Sequence, residues 1–370
     1  MIRRVGILTG GGDAPGLNGV IRSVARAAEI IHHARVYGYI NGFHGLIENQ
    51  CIEVDMNNTS GILHRGGTIL GASNRDNPFR YPSGKDADGN IIWEDVSDRA
   101  IENMNSMGIQ ALIIVGGDGS MHIAKMFAEK GVNVIAVPKT IDNDLNATDQ
   151  TFGFDTAVNT VMEAFDRLHT TAESHHRIMV VEVMGRYAGW IALYSGMAGG
   201  ADVILIPEIP YTIDAVARKI NERRARGKYF SLISVAEGAK EKGGKLVVSK
   251  MVEESFDPIR LGGIGGVLAD QLSKATGFES RATILGHLQR GGAPSAYDRI
   301  LTTRLGVKAI DMAVNGPYGR MVSYRGAEIV SVPIEDAIVS LKLVDPDSEI
   351  VKAARAIGIS FGDEVDNAYV

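Results

Sequence analysis

What most limits the fold of this chain is a recurring alternation along its length. Short Val/Ile-rich runs, "RVGILT", "ALIIVG", "VNVIAVP", "RIMVVEVMG", "ADVILIPE", "FSLISVAEG", "RATILGHL" and "EIVSVPI", are separated by longer segments with apolar residues at helical spacing. The runs do not alternate strictly between apolar and polar residues, so each predicts a strand covered on both faces. Between two of them, Ser120 to Lys130 places Ile123, Met126 and Phe127 on one helical face, with Gly131 as a stop. Strands and helices in this alternation predict parallel sheets with helices on both sides. At 370 residues the chain has room for roughly two such units. The expected class is α/β: two doubly wound, Rossmann-like domains with mostly parallel sheets.

In such folds ligands bind beyond the carboxyl ends of the strands. The segments in those places read "TGGGDAPG", "GGDGS", "PKTIDND", "MGRYAG", "PEIP", "AEGAK" and "GHLQRGGAP", and they hold nearly all the unusual chemistry of the sequence. A net charge of -6 argues against nucleic acid as a partner, which needs a basic surface. A local arginine cluster still allows a small anionic ligand. The single cysteine, Cys51, predicts packing rather than a disulfide or a metal site. No run approaches the ~20 apolar residues of a membrane span, and the N-terminus lacks the long apolar region of a signal peptide. A soluble, cytoplasmic protein without a membrane partner is expected. The polar stretch Asn74 to Asn90 predicts a surface excursion, and "SEIVKAARAIGI" a helix packed on the body.

Two of the strand-end segments are glycine loops that open helices. In "ILTGGGDAPGLNGVIRSVARAAE", Gly10, Gly11 and Gly12 clear the way for a ligand to approach the backbone. Pro15 stands near a helix start, and Val20, Ile21, Val24 and Ala28 form the buried stripe. "LIIVGGDGSMHIAKMFAEK" repeats the arrangement with Gly116, Gly117, Asp118, Gly119 and Ser120. A glycine loop at a helix N-terminus favours phosphate, although a tight strand-to-helix turn explains either loop alone. Neither has the lysine of a Walker A loop or the spacing of a dinucleotide fingerprint. A carboxylate on a phosphate cradle is repulsive unless a cation lies between them, which makes Asp118 a candidate Mg²⁺ contact. Capping of the following helix is its structural alternative.

"VIAVPKTIDND" delivers Lys139, Thr140, Asp142 and Asp144 to the end of one buried strand. A solvated turn explains Asp-Asn-Asp but not the lysine and threonine beside it. A carboxylate there can accept the proton of an attacking hydroxyl. Lys139 can supply the positive charge that a moving phosphoryl group needs, and Thr140 a hydroxyl contact.

Taken in order, "TGGGDAPGLN", "GGDGS", "PKTIDND", "MGRYAGW" and "LGHLQRGGAPSAYDR" resemble the motif set of the phosphofructokinases. The resemblance implies that Gly11 and the Gly117-Asp118-Gly119-Ser120 loop contact the phosphoryl donor, with Asp118 serving Mg²⁺. It makes Asp142 the base for the 1-hydroxyl of fructose 6-phosphate, in a reaction of glycolysis. Thr140 and Ile141 would lie beside the sugar, and Asp144 would organise the metal and phosphate region. Met184, Gly185, Arg186, Glu237, Arg281, His287 and Arg290 would contact the sugar phosphate, with Leu288 and Gln289 in the same segment. Arg177 would reach a neighbouring subunit's site, implying a homodimer or homotetramer. Arginine suits this work because its planar fork pairs with phosphate oxygens; all four arginines lie in or beside strand-end segments, where one pocket could collect them. The family places an arginine after "GGT-hydrophobic-LG" to bridge the two phosphates; here Arg75 stands one position later. The implied division is a donor domain of residues 1–153 plus about 289–341, a sugar-phosphate domain of about 154–288, and a C-terminal extension, 342–370.

The donor is marked twice, in opposite directions. Gly119 is the ATP-type residue of the family, since a carboxylate there would repel a nucleotide's α-phosphate. Lys139 is the residue of pyrophosphate-using members, and the mixture resembles the family's mixed-substrate group. An aspartate blocks whereas a lysine only adds attraction, so Gly119 decides for ATP. Lys228 is followed by Tyr229, so only half of the lysine pair of allosteric members is present, and weak or absent effector control is expected. Arg22 and Arg26 are explained as well by a solvated helix face. Pyrophosphate as donor, another acceptor such as sedoheptulose 7-phosphate or a nucleoside, and a non-catalytic nucleotide sensor are the alternatives. An intact Asp118 and Asp142 speak against the sensor.

Overall fold

Each of the Val/Ile-rich runs forms a strand, and several strands join them that the pattern did not announce. The computed structural model describes residues 2–73, 75–251 and 258–364. In chain order the strands are β1 (Arg4–Thr9), β2 (Arg35–Tyr39), β3 (Cys51–Val54), β4 (Tyr81–Lys85), β5 (Ile91–Glu94), β6 (Ala111–Gly116), β7 (Val134–Pro138), β8 (Ile178–Val183), β9 (Val203–Leu205), β10 (Ser231–Ala236), β11 (Val248–Met251), β12 (Ile259–Leu261), β13 (Ser280–Ile284), β14 (Arg320–Arg325) and β15 (Glu328–Pro333).

Two main sheets result. The larger has seven strands in the order β15-β14-β7-β6-β1-β2-β3, and the smaller has four in the order β13-β8-β10-β9. The smaller sheet is wholly parallel. The larger is parallel from β14 to β2, with an antiparallel strand at each edge. The expected doubly wound α/β class is therefore present, with "EIVSVPI" as an antiparallel edge rather than a parallel strand. β1, β6 and β7 are buried almost throughout, because helices cover both faces. Val20, Ile21, Val24 and Ala28 all face that core, the first three from the helix Leu17–Ala27 and Ala28 from the wider turn that follows it.

Two expectations are corrected. Met126 is 38% exposed, so the helix Asp118–Glu129 buries Ile123 and Phe127 and turns Met126 to solvent. The polar stretch after residue 74 is not a plain loop: β4 pairs antiparallel with β5 to form a hairpin, and Asn74 itself lies outside the described residues. Pro15 lies near a helix start as expected, just ahead of Gly16 and Leu17. Cys51 is half-buried in β3 and packs against the core, as expected.

The chain leaves the larger sheet after β7, builds the smaller sheet, and returns through the helix Ala296–Asn315 to add β14 and β15. The segment after β7 and the segment after β13 therefore lie where the two sheets meet. The helix Glu349–Ala356 forms within "SEIVKAARAIGI" and buries Val351 and Ala354 in the apolar core beside the smaller sheet. Among the described residues no helix is long and apolar enough to cross a membrane.

Candidate active site

Parallel strands bring their carboxyl ends to one edge, and β1, β6 and β7 deliver three loops there side by side. Gly10 N–H donates to Val115 O at 2.8 Å, and Lys139 N–H to Gly116 O at 2.8 Å, so the two glycine loops and the "PKTIDND" segment are bonded to one another. The Lys139 ammonium lies against both loops: β-carbons built on Gly11 and Gly117 would stand 3.5 and 3.8 Å from Nζ. Gly11 has φ +76, and its N–H is already donated to Ser73 O at 3.0 Å. What Gly11 offers a ligand is clearance rather than a free amide. Ser120, buried, is wedged between the loops, where β-carbons on Gly10 and Gly116 would meet its side chain. The loop carrying Arg75 runs beside β1, joined to it by the Gly10–Ser73 bridge. Arg75 N–H donates to Ser73 Oγ at 3.3 Å, and its side chain is at the surface.

Next to this cradle stand carboxylates that burial disturbs. Burial raises Asp118 above the ordinary carboxylate range, against the pull of His122 and Arg186. Asp144 is raised by burial and then by the charge of Asp142. Asp142 is 5% exposed, and its Oδ1 has no hydrogen-bond partner. Its N–H donates to Thr140 Oγ1 at 3.0 Å, so that hydroxyl shapes the turn. Burial, and then Arg290, lowers Lys139 to about 8, while Asp142, Asp144 and Asp13 oppose the shift. The Ile141 side chain points into the apolar core with Phe154, which leaves only its backbone to face a ligand.

The smaller sheet supplies the other wall. β8 leads out into Met184, Gly185 and Arg186, β10 into Glu237, and β13 into the short helix Gly286–Arg290. Arg186 adopts the left-handed backbone, φ 50, and donates its N–H to Glu237 Oε1 at 3.1 Å. This turn demands glycine opposite it, because a β-carbon on Gly238 would fall 1.9 Å from Arg186 O. Glu237 is raised to about 7 by burial and by Asp142, with Arg186 pulling the other way. Gln289, fully buried, accepts the Met184 N–H at 3.3 Å and donates to Gly286 O at 3.0 Å, which makes it a brace between the two segments. Beside them opens a cavity of about 360 Å³ lined by Glu182, Met184, Glu237, Gly262, Gly263 and His287.

Arg290 joins the walls. Its guanidinium lies over Gly12 and donates from Nη1 to Asp13 O at 3.0 Å. Leu288 is 68% exposed and contributes nothing to the enclosed part.

The idea that one pocket of this chain collects four arginines is not what the fold does. Arg177 directly precedes β8, and Arg281 is in the first turn of the pleat of β13, with Ser280 aligned to Ile178. Both therefore lie at the amino ends of parallel strands, roughly 15–20 Å of strand from Arg186 and His287. There they share Glu279: Arg177 Nε reaches Oε2 at 2.8 Å and Arg281 Nε reaches Oε1 at 2.9 Å.

Three further residues shape the site, and of these only Asp298 has a sequence signal. Glu182 accepts N–H groups of Gly263 and Gly265 at 2.9 and 2.7 Å and thereby caps the helix Ile264–Thr276 at the cavity wall. Asp298, fully buried, accepts from Gly153, and from Thr156 through both N–H and hydroxyl, anchoring the long helix Phe154–His175. Lys342 bonds to Asn143 from the C-terminal segment. A buried acid beside "GAPSAY" could have been read as a helix anchor; Lys342, in an unpatterned loop, could not.

Among the described residues no three carboxylate, imidazole or thiol groups form a ready-made metal cage. Magnesium does not need one, because it takes one or two carboxylates and completes its shell with phosphate oxygens and water. The unpartnered Oδ1 of Asp142 and the burial-raised acids Asp118 and Asp144 fit a site whose charge is completed by a bound cation.

Two glycine loops around a buried lysine, facing a buried acid and a cavity of about 360 Å³ on a doubly wound scaffold, form an arrangement suited to an α/β phosphotransferase. The family model for phosphofructokinase matches residues 4–313. The chain is 55% identical over 363 residues to ATP-dependent 6-phosphofructokinase 2 of Clostridium perfringens, covering 98% of this chain and 99% of that one. It is 48% identical over 341 residues to pyrophosphate–fructose 6-phosphate 1-phosphotransferase of Amycolatopsis mediterranei, covering 92% and 96%. The solved phosphofructokinase of Saccharomyces cerevisiae superposes with a TM-score of 0.77 at 28% identity, over 96% of this chain and 46% of the yeast chain. This chain belongs to the phosphofructokinase family.

Proposed function

We propose that the chain is an ATP-dependent 6-phosphofructokinase, transferring the γ-phosphoryl group of Mg-ATP to the 1-hydroxyl of fructose 6-phosphate. The observation that carries this reading is the Asp142 carboxylate, buried with an unpartnered oxygen between the Lys139 cradle and the Glu237–His287 cavity. With the sugar in the cavity, Asp142 takes the 1-hydroxyl proton as that oxygen attacks the γ-phosphorus. The new O–P bond forms as the bond to the bridging oxygen breaks, and ADP leaves with the electron pair. Lys139 offsets charge on the departing phosphate, Gly11, Gly117, Gly119 and Ser120 shape the room for the donor, and Arg75 approaches it from the neighbouring loop. Arg186 and Arg290 hold the acceptor with Glu237 and His287. Mg²⁺ at Asp118, with Asp144 nearby, neutralises phosphate charge when bound.

Residues 1–153 with about 289–341 form the donor half, and about 154–288 the sugar half; 342–364, within the expected extension, lie against both. Arg177 and Arg281, paired through Glu279 on the far edge of the smaller sheet, act on the acceptor phosphate of a neighbouring subunit in a homodimer or homotetramer. A cytoplasmic location accords with this reaction.

Pyrophosphate is the second reading, and the Lys139 ammonium between the glycine loops favours it, since a fixed cation can hold a leaving phosphate without a nucleoside. Initial rates with fructose 6-phosphate and Mg²⁺, with ATP and pyrophosphate supplied separately, decide between them. Turnover with ATP alone supports the first reading; turnover with pyrophosphate alone replaces it.

A further inference from the structure

The loop with the buried acids is held from outside by a segment beyond the residues that the family model matches. Leu341 bridges to Leu145, and the Lys342 N–H donates to Asp144 O at 2.8 Å. The Lys342 carbonyl accepts from Trp190 Nε1 at 2.7 Å. Two residues on, Val344 N–H donates to Glu208 Oε1 at 2.9 Å, and the same oxygen accepts from Gly189 N–H at 2.9 Å. The strap therefore ties "PKTIDND" to "MGRYAGW", the donor wall to the acceptor wall.

The side chain does more than fill space. Lys342 Nζ donates to Asn143 Oδ1, Thr148 O and Asp149 O, each at 3.0 Å. An ammonium has three donors, so none is left for a substrate. Asn143 lies between Asp142 and Asp144, in the left-handed backbone with φ 52, and its Oδ1 also accepts from Thr151 N–H at 3.1 Å. Burial and the charge of Asp142 already disfavour a charged Asp144, and the residue between them sits in the left-handed backbone, so the turn needs something to hold its centre. Burial lowers the Lys342 ammonium to about 8, against the opposing pull of Asp144 and Asp149.

We propose that Lys342 is a positioning residue for phosphoryl transfer, its ammonium pinning Asn143 and the Thr148–Asp149 carbonyls so that the Asp142 and Asp144 carboxylates keep their aim. The proposal rests on the phosphotransferase reading above. Lys342→Met keeps the length of the side chain and removes every donor. Its expected signature is a fall in kcat of about 10–100-fold, as for a small misplacement of reacting groups. KM for both substrates should stay within about threefold, since no contact with either is lost. Independently of turnover, the amides of residues 141–145 should exchange faster with solvent, while the thermal midpoint moves by only a few degrees.

A kcat within about twofold of the parent, with unchanged exchange, overturns the proposal. So does a rise in KM with kcat unchanged, which would make Lys342 a ligand contact. If Lys342→Met does not fold, Lys342→Gln, which keeps an amide donor, carries the same readouts. Parent enzyme with no phosphotransferase activity overturns both this inference and the reading beneath it; an active parent beside an unaffected variant overturns this inference alone.

Discussion

Arg290 lies across Gly12: a β-carbon at Gly12 would stand 3.0 Å from Arg290 Nη1, and that nitrogen donates to Asp13 O at 3.0 Å. The relationship joins the first glycine loop of the larger sheet to the segment that ends the smaller one. It places a guanidinium between the loops of the two sheets, and Arg290 is the charge, after burial, that lowers Lys139. Gly12→Val should displace the guanidinium. The loss of a charged hydrogen bond, about 1.5–3 kcal/mol, corresponds to a rise of about 10–150-fold in KM for fructose 6-phosphate. Steady-state kinetics with both substrates varied will show it, with a smaller change for the donor.

Asp142→Asn keeps the shape of the side chain and removes the base. A fall in kcat of about 10²–10⁴-fold is expected, with donor affinity nearly unchanged. Calorimetric titration of nucleotide into the variant, alongside turnover, separates the two effects. Preserved turnover would remove Asp142 from the reaction.

Lys139 sets an alkaline limit. Its ammonium is lowered to about 8, so in the free enzyme it loses its proton as the pH rises through that value. The profile of kcat/KM reports the free enzyme and should fall above about pH 8. Lys139→Arg, whose guanidinium stays charged, should weaken that limb without abolishing it, because burial lowers Lys342 to about 8 as well and its pinning ammonium is lost over the same range.

Glu237 opposes stability above the ordinary glutamate range. Its folded value, about 7, is above that of an unfolded chain, so between the two the folded state binds more protons. Stability from this group therefore falls as the pH rises from the ordinary glutamate range to about 7 and stays low above it. Glu237→Gln removes the effect. The ligand-free variant should gain on the order of 1–3 kcal/mol over the parent at pH 8 and little at pH 4.5. Denaturant melts at the two pH values test this; an equal change at both would mean that burial does not disfavour the charged form.

Much of the site was legible because its parts are close in sequence. Lys139, Thr140, Asp142 and Asp144 share one loop, and a Val/Ile-rich strand leading into it already states that the loop is at a carboxyl edge. The same logic located Arg186 and Glu237. It failed for Arg281, because a strand candidate shows its own direction but not how far along it a residue lies from the functional edge. It also failed for β2, β14 and the β4–β5 hairpin, short or half-exposed segments without a continuous apolar run.

The sequence by itself determined the α/β class, the strand-end loops and the side chains each one presents. These follow from local facts: β-branched runs, helical spacing, and glycines ahead of helices. Only the tertiary structure decided which loops meet. Arg290 over Gly12 and Lys342 on Asn143 join residues far apart in the chain, and their contact depends on the order and direction of the strands between them. Arg177 and Arg281 were sent to the opposite edge by the same cause. In a parallel sheet every strand start lies on one side and every strand end on the other, so one strand length decides whether an arginine faces this chain's cavity or lies on the sheet's other edge.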